Sequence, residues 1–289
     1  MINIPPTHCI ICGSKPFAIN LNNLNLWKCQ NCELMWRALF DVPLSHYGDA
    51  EGGFSKDKEK LQRRNIRDRI RTIGKYVKLD NTCDIGGSKG YFVEGLISFG
   101  YKGAYGVDPN KIQVEKAIHR GTPMIVGSTK DIHKIFPEKK TQNVSLFHVI
   151  EHLPDPVKTI TEIYNALPSG GHFVVETPDF DSYSFKKLNY NHKLVYNEHL
   201  FYFNFDNLPQ FLEKIGFSII YAGKRDFDQY HLNLRESLFR LELMKRDGNL
   251  NILQRTFFKL MKIFFTVPAS LLVKMLGRGN FILVIAQKS

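Results

Sequence analysis

The 289-residue sequence has no run of about 18 uninterrupted apolar residues, the length that a helix needs to cross a bilayer. Its start, Met1–Pro6, lacks the basic stretch and apolar run of a secretory signal peptide. Its five cysteines are too few, and four of them too clustered within the first 32 residues, for a secreted disulfide scaffold. These absences predict a soluble, cytoplasmic protein of a reducing compartment, with peripheral membrane contact left open.

Acidic residues are outnumbered: 39 Lys and Arg against 28 Asp and Glu give a net charge of +11. From Gly248 to Ser289 there is no acidic residue, against six basic ones. Such a balance indicates an anionic partner: nucleic acid, an anionic membrane face or a phosphorylated small substrate. The 43% of hydrophobic residues excludes disorder as the dominant state.

Short apolar runs alternate with helical patterns through the middle of the chain, which predicts βαβ units and an α/β fold with a parallel sheet. The predicted strands are Thr82–Ile85, Ala104–Val107, Met124–Val126, Val144–Val149, His172–Val175, Ser218–Ala222 and Phe281–Ala286. The predicted parts are a cysteine head (1–40), a linker with an amphipathic helix over 56–78 whose outer face is cationic (41–80), a main domain (81–230 and 279–289) and a helical insert (231–278).

The cysteine head contains two Cys-x2-Cys pairs sixteen residues apart: Cys9, Cys12, Cys29 and Cys32. This spacing is typical of a zinc ribbon, in which four thiolates hold one Zn²⁺ ion. Four protein ligands leave no open position, so the predicted zinc is structural. Cys83, alone in an apolar strand, is expected to be a core residue.

The segment Asp84–Gly90 follows one predicted strand and precedes a helix, where nucleoside cofactors bind. Its pattern, Asp-x-Gly-x-x-x-Gly, lacks the glycine spacing of a dinucleotide site and the Gly-Lys-Ser/Thr of a P-loop. An acidic residue at the head of the loop repels phosphate but attracts an ammonium group, and Asp108 after the next strand can accept both ribose hydroxyls. The predicted ligand therefore combines a cationic amino acid with a nucleoside, and S-adenosylmethionine is such a compound.

Four motifs in order resemble the class I S-adenosylmethionine-dependent methyltransferases: the Asp84–Gly90 loop, Asp108, the block Phe147–Pro156 (FHVIEHLPDP) and Leu167–His172 (LPSGGH). The resemblance covers roughly 80–222 and 280–289, with Ser88 and Asn143 as departures. It implies a seven-stranded Rossmann-like sheet with helices on both faces. The cofactor-binding residues that it implies are Asp84, Gly86, Gly87, Ser88, Gly90, Asp108, Pro109, Ser128 and His148.

Methyl transfer needs a base near the acceptor, and the candidates are His148, His152, Glu198 and His199. Together with the cysteine head and a Tyr-Gly segment at Tyr47, these residues resemble bacterial sugar methyltransferases, especially C-methyltransferases of nucleotide-bound deoxysugars. The resemblance implies that Tyr47, His148, Glu198 and His199 line the sugar site, with His199 or Glu198 as the base. Those relatives carry a C-terminal domain that is larger than the corresponding part of this sequence. Methylation of a sugar oxygen is therefore an equal alternative to methylation of carbon.

Structural roles are the alternatives for each of these residues: His148 closing the adenosine pocket, Glu151–His152 capping the next helix, Tyr47 packing in the linker, and Glu198–His199 at a helix start. Two other functions stay open. One is an rRNA or tRNA base methyltransferase, which the net charge of +11 suits. The other is a non-catalytic binding module that keeps a methyltransferase shell.

The insert carries apolar side chains interleaved with basic ones and broken at Pro268; the apolar ones are Leu253, Phe257, Phe258, Leu260, Met261, Phe264, Phe265, Leu271, Leu272 and Met275, and the basic ones are Arg255, Lys259, Lys262 and Lys274. This pattern fits a membrane-docking segment over 250–276, a lid over the substrate or a dimer contact. A nucleotide-linked or lipid-linked sugar as substrate explains both the positive charge and the apolar insert.

Overall fold

The computed structural model describes residues 6–38, 56–182, 185–186, 195, 198–225 and 279–289. The linker with Tyr47 and the predicted insert over 231–278 lie outside the described residues, so their predicted roles stay predictions. None of the helices within the described part is both long and apolar enough to cross a membrane.

The cysteine head forms three antiparallel strands: β1 (Pro16–Leu21), β2 (Leu24–Cys29) and β3 (Met35–Arg37). Each Cys-x2-Cys pair is followed directly by a residue with positive φ, Gly13 at 73° and Glu33 at 60°. These left-handed residues reverse the chain after each cysteine pair, and the turns close through hydrogen bonds from Cys9 N to Ser14 O and from Cys29 N to Leu34 O.

The main sheet has seven strands in the order β6-β5-β4-β7-β8-β11-β10. Neighbours among β4 to β8 are parallel, whereas β11 runs antiparallel to both β8 and β10. The strands are β4 (Thr82–Ile85), β5 (Tyr105–Asp108), β6 (Met124–Val126), β7 (Asn143–Phe147), β8 (His172–Pro178), β10 (Phe217–Arg225) and β11 (Phe281–Lys288). The seven-stranded α/β fold predicted from the sequence is confirmed, with strand ends shifted by up to three residues.

Six helices flank this sheet within the described residues: α1 (Lys56–Ile73), α2 (Tyr91–Ser98), α3 (Lys111–His119), α4 (Ile132–Lys139), α5 (Pro156–Ala166) and α6 (Asn207–Ile215). Side chains alternate between two cores along each central strand: Val174 packs with residues of α1, α2 and α3, whereas Phe173 and Val175 pack with residues of α4, α5 and α6. The period of two along β8 therefore places three helices on each face of the sheet.

The head and the main domain are joined by strand pairing. A short strand, β9 (Phe201–Tyr202), pairs antiparallel with β3, so that Trp36 lies opposite Phe201. Trp36 is fully buried in the same hydrophobic core as residues of α6. The head is thus a four-stranded sheet completed by the main domain, and it shares its core with that domain.

A buried carboxylate connects α1 to the sheet. Glu176, in the middle of β8, is 0% exposed and binds the guanidinium of Arg69 from α1. Arg225 Nε lies 3.4 Å and His148 Nε2 3.4 Å from the same carboxylate. Burial alone would raise the pKa of Glu176, but the charge of Arg69 and the contact with His148 lower it well below its ordinary value.

Replacing Glu176 by Gln should lower the free energy of unfolding by about 3 kcal/mol, because it leaves Arg69 buried without its counter-charge. The exposed pair Lys111–Glu115 supplies the control, and Glu115→Gln should change stability by less than about 1 kcal/mol. Urea unfolding at pH 7 measures both values.

The same pair of proteins tests the pH dependence. Because the pKa of Glu176 is lowered in the folded state, its contribution to stability is present above about pH 4.3 and is lost as the pH falls. The difference between wild type and Glu176→Gln should therefore shrink below pH 4. Equal losses for Glu176→Gln and Glu115→Gln would contradict this account of the buried carboxylate.

Candidate active site

The carboxyl ends of β4, β5, β7 and β8 meet at one edge of the sheet, because these strands are parallel. The polar side chains singled out in the sequence follow the ends of these strands: the Asp84–Gly90 loop follows β4, Asp108 ends β5, and His148 follows β7. One edge therefore carries both the predicted cofactor loop and the predicted acceptor-side residues.

The loop after β4 is bent tightly toward β5. Gly86 N donates a hydrogen bond of 2.8 Å to Val107 O, and Gly86, Ser88 and Gly90 all have positive φ. A Cβ atom added at Gly86 would collide with the side chain of Val149, and one at Gly87 would lie 3.1 Å from Asp84 Oδ2. The glycines thus allow a close backbone approach that a larger residue would fill.

Two carboxylates flank this loop. Asp84 accepts a 2.7 Å hydrogen bond from Ser145 Oγ, and burial raises the pKa of Asp84 to about 7. Asp108 accepts hydrogen bonds from Ser88 N at 2.7 Å and from Asn110 N at 2.8 Å. Burial raises the pKa of Asp108 as well. A glycine turn between two carboxylates suits a ligand with an ammonium group and ribose hydroxyls better than a pyrophosphate.

The remaining predicted cofactor residues lie at the same side of the sheet. Pro109 is exposed next to Asp108, and Ser128 follows β6. Ser128 caps a 3-10 turn: its Oγ accepts from Lys130 N at 3.3 Å, and its backbone N donates to Asp131 Oδ2 at 2.8 Å. Ser128 therefore has a structural role in this conformation, and its predicted cofactor contact stays a prediction.

His148 occupies a strained position between two buried carboxylates. Its φ is 59°, a left-handed value that is uncommon for a residue with a side chain. Its Nδ1 lies 3.6 Å from Glu151 Oε1, and its Nε2 lies 3.4 Å from Glu176 Oε1. Desolvation alone would lower the pKa of His148, but Glu151 and Glu176 raise it to about 9. A histidine that is protonated at neutral pH does not act as a base, and the two carboxylates balance the charge of His148.

Three side chains lie close together next to His148: Glu151, His152 and His199. One carboxylate oxygen and one nitrogen from each imidazole lie within 4.8 Å of one another. Glu151 is 1% exposed and accepts a 2.9 Å hydrogen bond from Thr177 Oγ1. Burial alone would raise the pKa of Glu151, but the contact with His148 and the neighbouring histidines lower it to about 2. Glu151 is therefore a buried carboxylate anion that faces imidazole rings.

The acceptor-side pair predicted from the sequence, Glu198 and His199, meets this cluster directly. His152 Nδ1 lies 2.8 Å from the carbonyl oxygen of Glu198, and the rings of His152 and His199 are 4.7 Å apart. His199 is 2% exposed, whereas Glu198 is half-buried. Leu200 N donates a 2.7 Å hydrogen bond to Glu151 O, which fixes the two segments against each other.

The sequence predicted Glu198 and His199 as acceptor-side residues, whereas it predicted only a capping role for Glu151. The Glu151-His152 dipeptide does form a 3-10 turn, Ile150–His152, yet the Glu151 side chain contacts Thr177 and the histidines. Glu176 and Arg69 were missed altogether. A signal for Glu176 existed, because a glutamate interrupts the apolar run of β8 and a buried charge requires a partner.

The four head cysteines also come together. Sγ separations are 3.3 Å for Cys9–Cys32, 3.3 Å for Cys12–Cys29 and 3.9 Å for Cys12–Cys32, and all five cysteines are free thiols. Four sulfurs on one tetrahedral zinc ion, each about 2.3 Å from it, are about 3.8 Å apart. The cluster fits such an ion, and Ile11 N already donates to Cys9 Sγ at 3.4 Å.

The comparisons agree with this geometry. The family described as "Methyltransferase domain" matches residues 58–222, more than half of the chain. No curated protein is detectably similar in sequence. A solved S-adenosylmethionine-dependent methyltransferase from Archaeoglobus fulgidus is 20% identical, with a TM-score of 0.53 over 80% of this chain and 97% of that one.

Two further solved structures are similar to this chain at lower TM-scores. An S-adenosylmethionine-dependent methyltransferase from Mesorhizobium loti is 14% identical, with a TM-score of 0.48 over 76% of this chain and 96% of that one. A magnesium protoporphyrin IX methyltransferase from Synechocystis is 12% identical, with a TM-score of 0.48 over 84% and 90%. The family match, together with the seven-stranded sheet and its acidic glycine loop, places this chain in the methyltransferase-domain family as an S-adenosylmethionine-dependent methyltransferase.

Proposed function

We propose that the protein methylates a small polar acceptor, a nucleotide-linked or lipid-linked sugar. The observation that carries this proposal is the group of Glu151, His152, Glu198 and His199 at the sheet edge next to the cofactor loop. Such a group suits a hydroxyl, or a carbon next to a ketone, that must lose a proton. The net charge of +11 suits a phosphorylated substrate.

The walls of this region favour a sugar over a nucleobase. The aromatic rings around His199 are buried, with Phe180 at 3% and Tyr202 at 1% exposure. Recognition of single-stranded RNA uses exposed aromatic faces on which bases stack. Three exposed basic side chains on α1 favour the RNA alternative, because their positive charge suits a phosphate backbone. They are Arg64, Arg67 and Arg71.

In the proposed reaction, one group of residues binds the cofactor and another acts on the acceptor. When bound, S-adenosylmethionine supplies a methyl group whose bond to the sulfonium sulfur breaks as its bond to the acceptor forms. Asp108 would hold the ribose hydroxyls, and Asp84 the amino-acid end. Glu198 or His199 would take the acceptor proton, next to buried aromatic rings that exclude competing water.

Asp108→Asn should weaken binding of S-adenosylhomocysteine at least tenfold, because hydrogen bonds to a charged carboxylate contribute about 1.5–3 kcal/mol. The matched control is Asp155→Asn, which alters an exposed carboxylate that caps α5 and should bind normally. Isothermal titration calorimetry gives both affinities. Unchanged affinity in Asp108→Asn would contradict the ribose assignment.

Labelled methyl groups from S-adenosylmethionine should appear in nucleotide-activated deoxysugars and not in tRNA or rRNA when the full-length protein is given all three. His199→Gln should lower turnover about 100-fold or more, with S-adenosylhomocysteine affinity unchanged, because only the acceptor side is altered. His133→Gln, an exposed position on α4, is the control. Label in RNA alone, or full activity of His199→Gln, would contradict the proposal.

We also propose that the head holds one structural zinc ion through Cys9, Cys12, Cys29 and Cys32. The sulfur spacing and the two positive-φ turns support it. With four thiolates the ion has no free position, so its role is to hold the head that pairs with β9.

Cys12→Ser should therefore lose one zinc equivalent per chain and lower Tm, whereas Cys83→Ala, which changes the buried cysteine of β4, should keep the zinc. Elemental analysis and a thermal melt measure the two effects. Zinc content that is equal in Cys12→Ser and wild type would contradict the assignment.

A further inference from the structure

The cluster of Glu151, His152 and His199 has the composition of a metal site that is separate from the cysteine head. We propose that these three side chains bind a divalent transition-metal cation at the carboxyl edge of the sheet. The cluster offers one carboxylate oxygen and two imidazole nitrogens within 4.8 Å of one another. An ion about 2.1 Å from each ligand requires neighbouring ligand atoms about 3–3.5 Å apart, so the three side chains must move closer together when it binds.

The hydrogen bonding of His152 supplies an independent indication. Its Nδ1 lies 2.8 Å from the carbonyl oxygen of Glu198, which can only accept a hydrogen bond, so Nδ1 carries the proton. In the neutral ring with this tautomer, the lone pair is on Nε2. A ring that donates one N–H to a backbone carbonyl and offers the other nitrogen is the usual arrangement of a metal-binding histidine, because the hydrogen bond fixes tautomer and orientation.

Glu151 has a comparable support. Thr177 Oγ1 donates to its Oε2 at 2.9 Å, which holds the carboxylate in place at the end of the turn. Glu151 is 1% exposed, so its carboxylate does not face the solvent. The charge of this buried anion requires positive partners, and His148 lies 3.6 Å from Oε1 as one of them. A cation between Glu151 and the two imidazoles would be another.

The backbone holds the three ligands together from distant parts of the chain. Leu200 N binds Glu151 O at 2.7 Å, and Arg37 N binds Leu200 O at 2.9 Å. His199 is therefore fixed to the turn after β7 on one side and to β3 of the head on the other. Ligands that are held by main-chain hydrogen bonds are preorganised, and less conformational entropy is lost when the ion binds.

Two imidazoles and one carboxylate suit Mn²⁺, Fe²⁺, Co²⁺ or Zn²⁺, and three protein ligands leave positions open. An acceptor with two adjacent oxygens, such as a sugar diol, fills two such positions as a chelate. This second step rests on the proposed function, whereas cation binding itself does not. With His199 as a ligand, the cation lowers the pKa of the bound hydroxyl and Glu198 receives its proton.

Titration of the full-length, zinc-loaded protein with Mn²⁺ tests the site, because free Mn²⁺ is counted by electron paramagnetic resonance and thiolate sites do not favour it. We expect one Mn²⁺ per chain in wild type. His199→Ala and His152→Gln should each weaken binding at least tenfold, and His133→Ala should leave it unchanged. His152 is half-buried, so His152→Gln serves if His199→Ala does not fold.

Circular dichroism and S-adenosylhomocysteine affinity verify that each variant is folded. A parallel titration with Co²⁺ covers ions that prefer nitrogen more strongly. Binding of neither ion to wild type, or binding that persists in both histidine variants, would overturn the proposal and leave Glu151 and His199 as a metal-free pair.

The failure of this inference is distinguishable from that of the proposed function. Labelled sugar without Mn²⁺ or Co²⁺ binding rejects the cation and keeps the sugar acceptor. Cation binding that depends on the histidines, with label in RNA alone, keeps the cation and rejects the sugar.

Discussion

The carboxylate of Glu176 contacts residues from three separate elements of the structure. It accepts from Arg69 of α1, lies 3.4 Å from Arg225 at the end of β10, and lies 3.4 Å from His148 after β7. The carboxylate is fully buried, so each partner is held by a charge that has no access to water. The position of α1 on the sheet and the orientation of His148 at the site therefore have a common origin.

Two groups of carboxylates lie at the carboxyl edge of the sheet. Asp84 and Asp108 flank the glycine turn, and Glu151 lies among histidines. Val149 packs against Gly86, which is why no larger residue fits there. In the proposed reaction, the first group would bind the methyl donor and the second would lie beside the acceptor, so that the two reactants meet at one edge.

The elements that the sequence predicted well are those with a local signal. The strand Thr82–Ile85 and its acidic glycine loop follow from an apolar run and punctuating glycines, and the Cys-x2-Cys pairs from spacing alone. What could not be predicted depends on contacts between distant residues. Arg69 lies at helical spacing from Ile66 and Ile73 on the buried face of α1, but nothing in the sequence indicates that its partner is Glu176, 107 positions away.

The same limit applies to the site. The sequence marks Glu151-His152 and Glu198-His199 as two separate dipeptides, each with a structural explanation. The contact between these two dipeptides depends on β9. This strand has only two residues, far fewer than a usual strand, and therefore leaves no recognisable pattern in the sequence. The pairing partner of β9 is in the head, and its register is set by neither segment alone.

The pairing of β3 with β9 also constrains how the chain is made. Trp36 and Phe201 are partners although roughly 165 residues separate them. At a synthesis rate of about 5–20 residues per second, the ribosome needs about 8–30 s to make the intervening chain. Throughout that interval the head presents an open strand edge and the indole of Trp36 to its surroundings, and nascent-chain chaperones or early zinc loading would have the most to protect there.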